Sequence, residues 1–156
     1  KSLLRSKLAT SCLEDLSHGG FQTVIPETED LSSKVSRVIL CSGKVYYDLI
    51  ESRSERKIDN IVIIRFEQLF PFIEEDVIKI MKKYQTASKF VWCQEEPRNM
   101  GAWKFIRHQL DSCLEKASIK VQVSYTGRER SASPAVGYLY IHNKQQETLL
   151  EEAFEL

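Results

Sequence analysis

No stretch of this chain approaches the ~20 consecutive apolar residues that a membrane-spanning helix needs. Its start shows no charged-then-apolar secretory signal. Neither charge is in excess, 22 Lys and Arg standing against 22 Asp and Glu, so no global field draws the chain to nucleic acid or an anionic membrane. Cys12, Cys41, Cys93 and Cys113 form no CxxC pair, and His18, His108 and His142 are equally scattered, which argues against a zinc site. Reduced cysteines at the ends of apolar runs fit an intracellular compartment.

Glycine is sparse, and the sparseness excludes two nucleotide fingerprints. The first strand–helix turn carries only Gly43, so the GxGxxG dinucleotide motif is absent. Cys41-Ser42-Gly43-Lys44 resembles the end of a phosphate loop, yet it lacks the earlier glycine, and Val45 stands where a magnesium-binding Ser or Thr belongs. No GxSxG elbow occurs, and the isolated cysteines have no catalytic context. The residues supply no catalytic, cofactor-binding or metal-ligating set.

What is present is a chain of 156 residues, enough for one domain with a real core. It begins at Lys1 without an initiator methionine and is patterned from the outset, so a piece of a longer protein is expected. Residues 1–34 read as an entry segment. Leucines recur at helical spacing to Leu16, Phe21–Ile25 is a short edge strand ended by Pro26, and a polar, mobile linker runs from Glu27 to Lys34.

Residues 35–156 alternate strand and helix. Strands are expected at Val35–Cys41, Ile61–Phe66, Phe90–Cys93 and Ile119–Tyr125. Helices are expected from Lys44, from Pro71 at the first helical position, from Gly101 behind an Asn99 cap, and over His142–Phe154. Val45, Leu49 and Ile50 point inward on the first of these, and Phe105, Ile106, Leu110 and Leu114 on the third. Arg53, Arg56 and Lys57 read as complements to a helix dipole. Trp92 and Trp103 read as core or interface anchors. The pattern is α/β: a three-layer α/β/α sandwich with about five strands, mostly parallel, and one antiparallel edge strand.

Candidate contacts cluster after strand ends, where open parallel sheets usually bind ligands. Ser42 and Lys44 follow the first regular strand, Glu95 and Glu96 the central one, and Arg128, Arg130, Ser131 and Ser133 the last. These polar groups suit an anion or a partner protein, sharing one rim. On the residues alone, three readings stand: an incomplete part of an enzyme, a free-standing regulatory module binding a nucleotide or acyl-CoA, and a structural dimerisation domain.

Four blocks together resemble the 2-oxoglutarate dehydrogenase E1 component: Val38 to Leu49, Ile64 to Phe72, Val91 to Trp103, and Tyr125 to Gly137 followed by His142 and Lys144-Gln145-Gln146. Lys1 to Arg5 resembles that family's entry into this region. The resemblance implies a transketolase C-terminal-like domain of a thiamine diphosphate and magnesium enzyme. Such an enzyme decarboxylates 2-oxoglutarate and passes the succinyl group to the lipoyl group of an E2 succinyltransferase. It further implies partners in the remainder of the E1 subunit, a second E1 protomer and E2, in bacterial cytoplasm or the mitochondrial matrix. The family's cofactor motif and its activating glutamate lie outside this chain. The isolated chain is therefore expected to be inactive, serving in assembly, dimer contact or regulation.

Overall fold

The computed structural model describes residues 3–29, 31 and 34–155. Five strands form one sheet: β1 (Val24–Ile25), β2 (Arg37–Ser42), β3 (Ile61–Phe66), β4 (Lys89–Gln94) and β5 (Val123–Gly127). Their order is β1-β3-β2-β4-β5, with β1 antiparallel to β3 and every other pair parallel. The helices are α1 (Leu13–Ser17), α2 (Val45–Glu55), α3 (Glu74–Met81), α4 (Trp103–Lys116) and α5 (Leu139–Phe154).

Continuous apolar runs in β2, β3 and β4 require cover on both sheet faces, and the two-residue period divides the side chains between them. Val38, Leu40, Val62, Ile64, Phe66, Phe90 and Trp92 pack under α3 and α4. Ile39, Cys41, Ile61, Ile63 and Cys93 pack under α2 and α5 through Val45, Leu49, Leu149 and Phe154. Each such side chain contributes about 1.5–3 kcal/mol when fully buried. The chain steps from β2 to β3 with α2 on one face, then back across β2 to β4 with α3 on the other. Right-handed crossovers demand that arrangement. The order of strands thus reverses between β2 and β4, the place where such sheets usually hold a ligand.

Several expected boundaries move. The third helix starts at Glu74, with Pro71 in the preceding loop after a cis peptide bond and its carbonyl accepting from Gln68 Nε2. Glu74, Glu75 and Asp76 then form the first turn, where the helix dipole favours anions. The last strand starts at Val123. Ser118 adopts a left-handed conformation, and the Ile119 N–H bonds back to the Leu114 carbonyl, so Ile119 closes α4 instead. The final helix begins at Leu139, three residues before the expected start. Phe105 faces outward from α4 and pairs edge-on with exposed Phe70.

Asn99 caps no helix. Its side-chain oxygen accepts from the Ser131 N–H, and its amide donates to the Ser131 carbonyl. The job expected of Asn99 falls to Gln94, which is 2% exposed. Gln94 Oε1 accepts from the Trp103 N–H and from Trp92 Nε1, and Nε2 donates to the carbonyls of Glu96 and Met100. One buried amide therefore starts α4 and shapes the loop before it. Gly101 makes room: a Cβ there would lie 2.8 Å from Gln94 Nε2, and its φ is +62°.

The stretch from Glu27 is no loose linker where it is described; Lys1, Ser2, Asp30, Ser32 and Ser33 lie outside the described residues. β1 ends at Pro26, which has no N–H for a ladder. Beyond it, Glu27 Oε2 accepts from the Ile63 N–H, and Arg53 Nη1 donates to the Ile61 carbonyl while pairing with Glu27. A buried ion pair thus continues the sheet edge in side-chain form. Arg53 is therefore a tether, contrary to its expected service to a helix dipole. Arg56 stacks over the Phe154 ring, and Lys57 ends the α2 region at φ +54°.

Candidate functional site

Of the eight candidate residues, Ser42 ends β2 and the other seven follow the carboxyl ends of parallel strands, so all lie toward one edge of the sheet. Gly43, at φ +75°, turns the chain from β2 into α2 and carries Lys44 into the crevice between the ends of β2 and β4. There Lys44 Nζ donates to Asp48 Oδ2 at 2.8 Å and to Glu95 Oε1 at 3.0 Å. Burial opposes its charge, but these two carboxylates outweigh that and hold the ammonium above its ordinary pKa. An ion pair within the chain thus bridges the ends of β2 and β4 at the reversal point.

The network continues sideways. Asp48 Oδ2 also accepts from Gln146 Nε2 at 3.0 Å, and Gln146 Oε1 accepts from Arg128 Nη2 at 3.4 Å. Arg128 Nη2 lies 3.0 Å from His142 Nδ1, and since a guanidinium only donates, that ring nitrogen accepts. Arg128 is nine-tenths buried, and its Nε has no hydrogen-bond partner. It pairs with none of Glu95, Glu96 or Glu129. Arg130, two residues on, is exposed.

Backbone contacts stitch the two later loops together. The Arg98 N–H donates to the Arg128 carbonyl, and Tyr125 Oη donates its single hydrogen to the Arg128 carbonyl at 3.0 Å, with the Glu96 carbonyl 3.3 Å away as an alternative acceptor. Burial first, then the nearby Cys93, pushes the Tyr125 phenol up to about 12. The hydroxyls are used locally: Ser131 Oγ accepts from the Ser133 N–H, and Ser133 Oγ donates to the Ala135 carbonyl. Ser42 is half-buried at the end of β2, and the Glu96 side chain is exposed.

Chemically, only the Lys44 part of this rim is neutralised by carboxylates of the same chain. Burial pushes the Cys41 and Cys93 thiols well up and away from thiolate character, and raises Cys113 to about 12. Among the described residues, no three His, Cys, Asp or Glu side chains are grouped to hold a metal ion. No described helix is long and apolar enough to cross a membrane. Among the described residues, then, no group of side-chain donors fits a magnesium ion.

Comparison with known proteins places the chain. The family model of the 2-oxoglutarate dehydrogenase C-terminal region matches residues 10–154. The chain belongs to this family. It is 53% identical, over 99% of its length, to the 2-oxoglutarate dehydrogenase E1 component of Cupriavidus necator. It is 51% identical over 98% to that of Haemophilus influenzae, and 48% identical over 99% to that of Azotobacter vinelandii. In each case it spans only 16% of the relative's length. The contacts that pattern reading missed in this chain are those of Gln94, Glu27 and Arg53. Only the oddity of a glutamine at the end of an aromatic strand run hinted at the first.

Proposed function

We propose that this chain is the non-catalytic C-terminal part of a 2-oxoglutarate dehydrogenase E1 component, residues 1–34 leading into an α/β domain over residues 35–156. The complete protein decarboxylates 2-oxoglutarate and delivers the succinyl group to the lipoyl group of E2, in bacterial cytoplasm or the mitochondrial matrix. Thiamine diphosphate with Mg²⁺ supplies the carbanion chemistry and is held by residues outside this chain. The observation that carries the reading is the family match across residues 10–154.

The rim formed by Ser42, Lys44, Glu95, Glu96, Arg128, Arg130, Ser131 and Ser133 serves protein contact within the E1 assembly. The Lys44–Glu95 pair at its centre suits a surface that is to be buried, because each charge keeps its partner when water leaves. The test is 2-oxoglutarate-dependent CO₂ release with thiamine diphosphate, Mg²⁺ and an artificial electron acceptor. The complete protein should turn over and the 156-residue chain should not. Turnover by the chain alone, or none by the complete protein, would overturn the reading.

A further inference from the structure

The two halves of α5 are attached to the domain in different ways. Its second half is anchored by burial, through Leu149, Ala153 and Phe154. Before Leu149 no side chain of the helix is buried, and Leu139 and Tyr140 at its start are 74% and 70% exposed. The first half is held chiefly by polar contacts: His142 and Gln146, one turn apart, both meet Arg128 Nη2, and Gln146 Nε2 also donates to Asp48 of α2. Segments with so little buried apolar surface lie at the low end of local stability, so these few contacts decide whether the half-helix is docked.

One of those contacts depends on a proton. The Arg128 backbone is fixed, because its carbonyl accepts from the Arg98 N–H and from Tyr125 Oη. Its side chain is nine-tenths buried, and among the described residues no carboxylate pairs with it. A guanidinium has only donors, so at 3.0 Å His142 Nδ1 presents its lone pair and the ring proton sits on Nε2. Protonation at Nδ1 fills that lone pair and sets two cations against each other. Asp48 of α2 reaches Arg128 only through Gln146 and is shared with Lys44. The first turn of α5 carries no acidic residue, and its dipole opposes a cation. We propose that the Arg128–His142 contact is a proton-sensitive latch. Closed while the imidazole is neutral, it fixes the first half of α5 against the end of β5; proton uptake at Nδ1 opens it. The two other histidines, His18 and His108, are exposed and lie on α1 and α4. The latch goes beyond the activity proposed above and does not depend on it.

Hydrogen exchange of the complete protein, read by mass spectrometry at pH 8 and pH 5.5 and corrected for intrinsic rates, tests it. Amides of residues 142–147 should lose about tenfold in protection at pH 5.5, while those of the last turn of α5 keep theirs. His142→Asn retains an acceptor near the position of Nδ1 but does not titrate, and should keep these amides protected at both pH values. Arg128→Met removes the latch from the other side, and should leave them equally unprotected at both. Equal protection of the unaltered protein at the two pH values would overturn the proposal, as would a pH step that survives in either variant. Should His142→Asn fail to fold, the unaltered protein and Arg128→Met still decide.

Discussion

Arg53→Met should be among the most damaging single changes outside the apolar core. The Arg53 and Glu27 side chains are 2% and 4% exposed, so neither charge has water to fall back on. Arg53 also reaches Glu29 Oε2 at 3.0 Å and the Ile61 carbonyl at 3.1 Å. Removing one partner of a buried pair typically costs about 3–5 kcal/mol, chiefly because the other charge is left uncompensated. For a chain of this size that corresponds to a fall of about 10 °C in melting temperature. The double variant Glu27→Gln with Arg53→Met should recover at least about 1 kcal/mol of the loss, since it removes the orphan carboxylate while a glutamine oxygen still accepts from Ile63 N–H. Burial pushes the Glu27 carboxyl up, but hydrogen bonds from Arg53, Ile63 and Glu29, with the charge of Arg53, outweigh it and hold its pKa below the ordinary 4.5. A depressed carboxyl binds its proton less readily folded than unfolded. Its stabilisation is therefore complete above pH 4.5 and fades as pH drops through the lower folded value. Urea unfolding followed by circular dichroism, between pH 3 and 7, reads all three effects. A loss under about 1 kcal/mol for Arg53→Met, or a double variant no better than the single, would refute the tether.

Three further outcomes follow from the packing. Gln94→Leu strands the Trp103 N–H, Trp92 Nε1 and two loop carbonyls; about 3 kcal/mol should be lost in chemical unfolding, with the Trp fluorescence of the folded state altered. Gly101→Ala meets both a left-handed φ and a 2.8 Å contact with Gln94 Nε2, and should cost about 1–3 kcal/mol in the same assay. Arg37→Leu removes the guanidinium that donates to the Glu152 and Ala153 carbonyls, and amides in the last turn of α5 should exchange with deuterium about tenfold faster while those of β4 are unchanged.

Where local pattern and tertiary environment agreed, the fold was legible. Ile61-Val62-Ile63-Ile64 can satisfy its burial only in a strand covered on both faces, and it forms β3 as expected. Pro26 likewise announced an edge, and β1 is the antiparallel edge strand. Legibility failed where a residue's partner is remote. Asn99 resembles a helix cap by type and position, yet Ser131, 32 residues on, holds both ends of its amide. Phe105 fits an inward helical stripe by spacing alone, but the actual start at Trp103 and the direction of α4 turn it outward toward Phe70. Ile119 alternates like a strand residue and closes a helix instead, because Ser118 can turn left-handed there.

The sequence alone determined that the loops after the parallel strands lie at one edge, because parallel strands share a direction. It also determined that the apolar run of β3 would be covered on both faces, since a period of two is a property of the extended backbone itself. Only the tertiary structure decided the partners. Lys44 could have met an incoming anion, but the adjacency of β2 and β4 brings Glu95 within 3.0 Å of it. Arg53 could have stayed in water, but the chain beyond β1 carries Glu27 over it and excludes solvent. Electrostatic pairing is short-ranged and depends on register, so it is settled by which strands become neighbours.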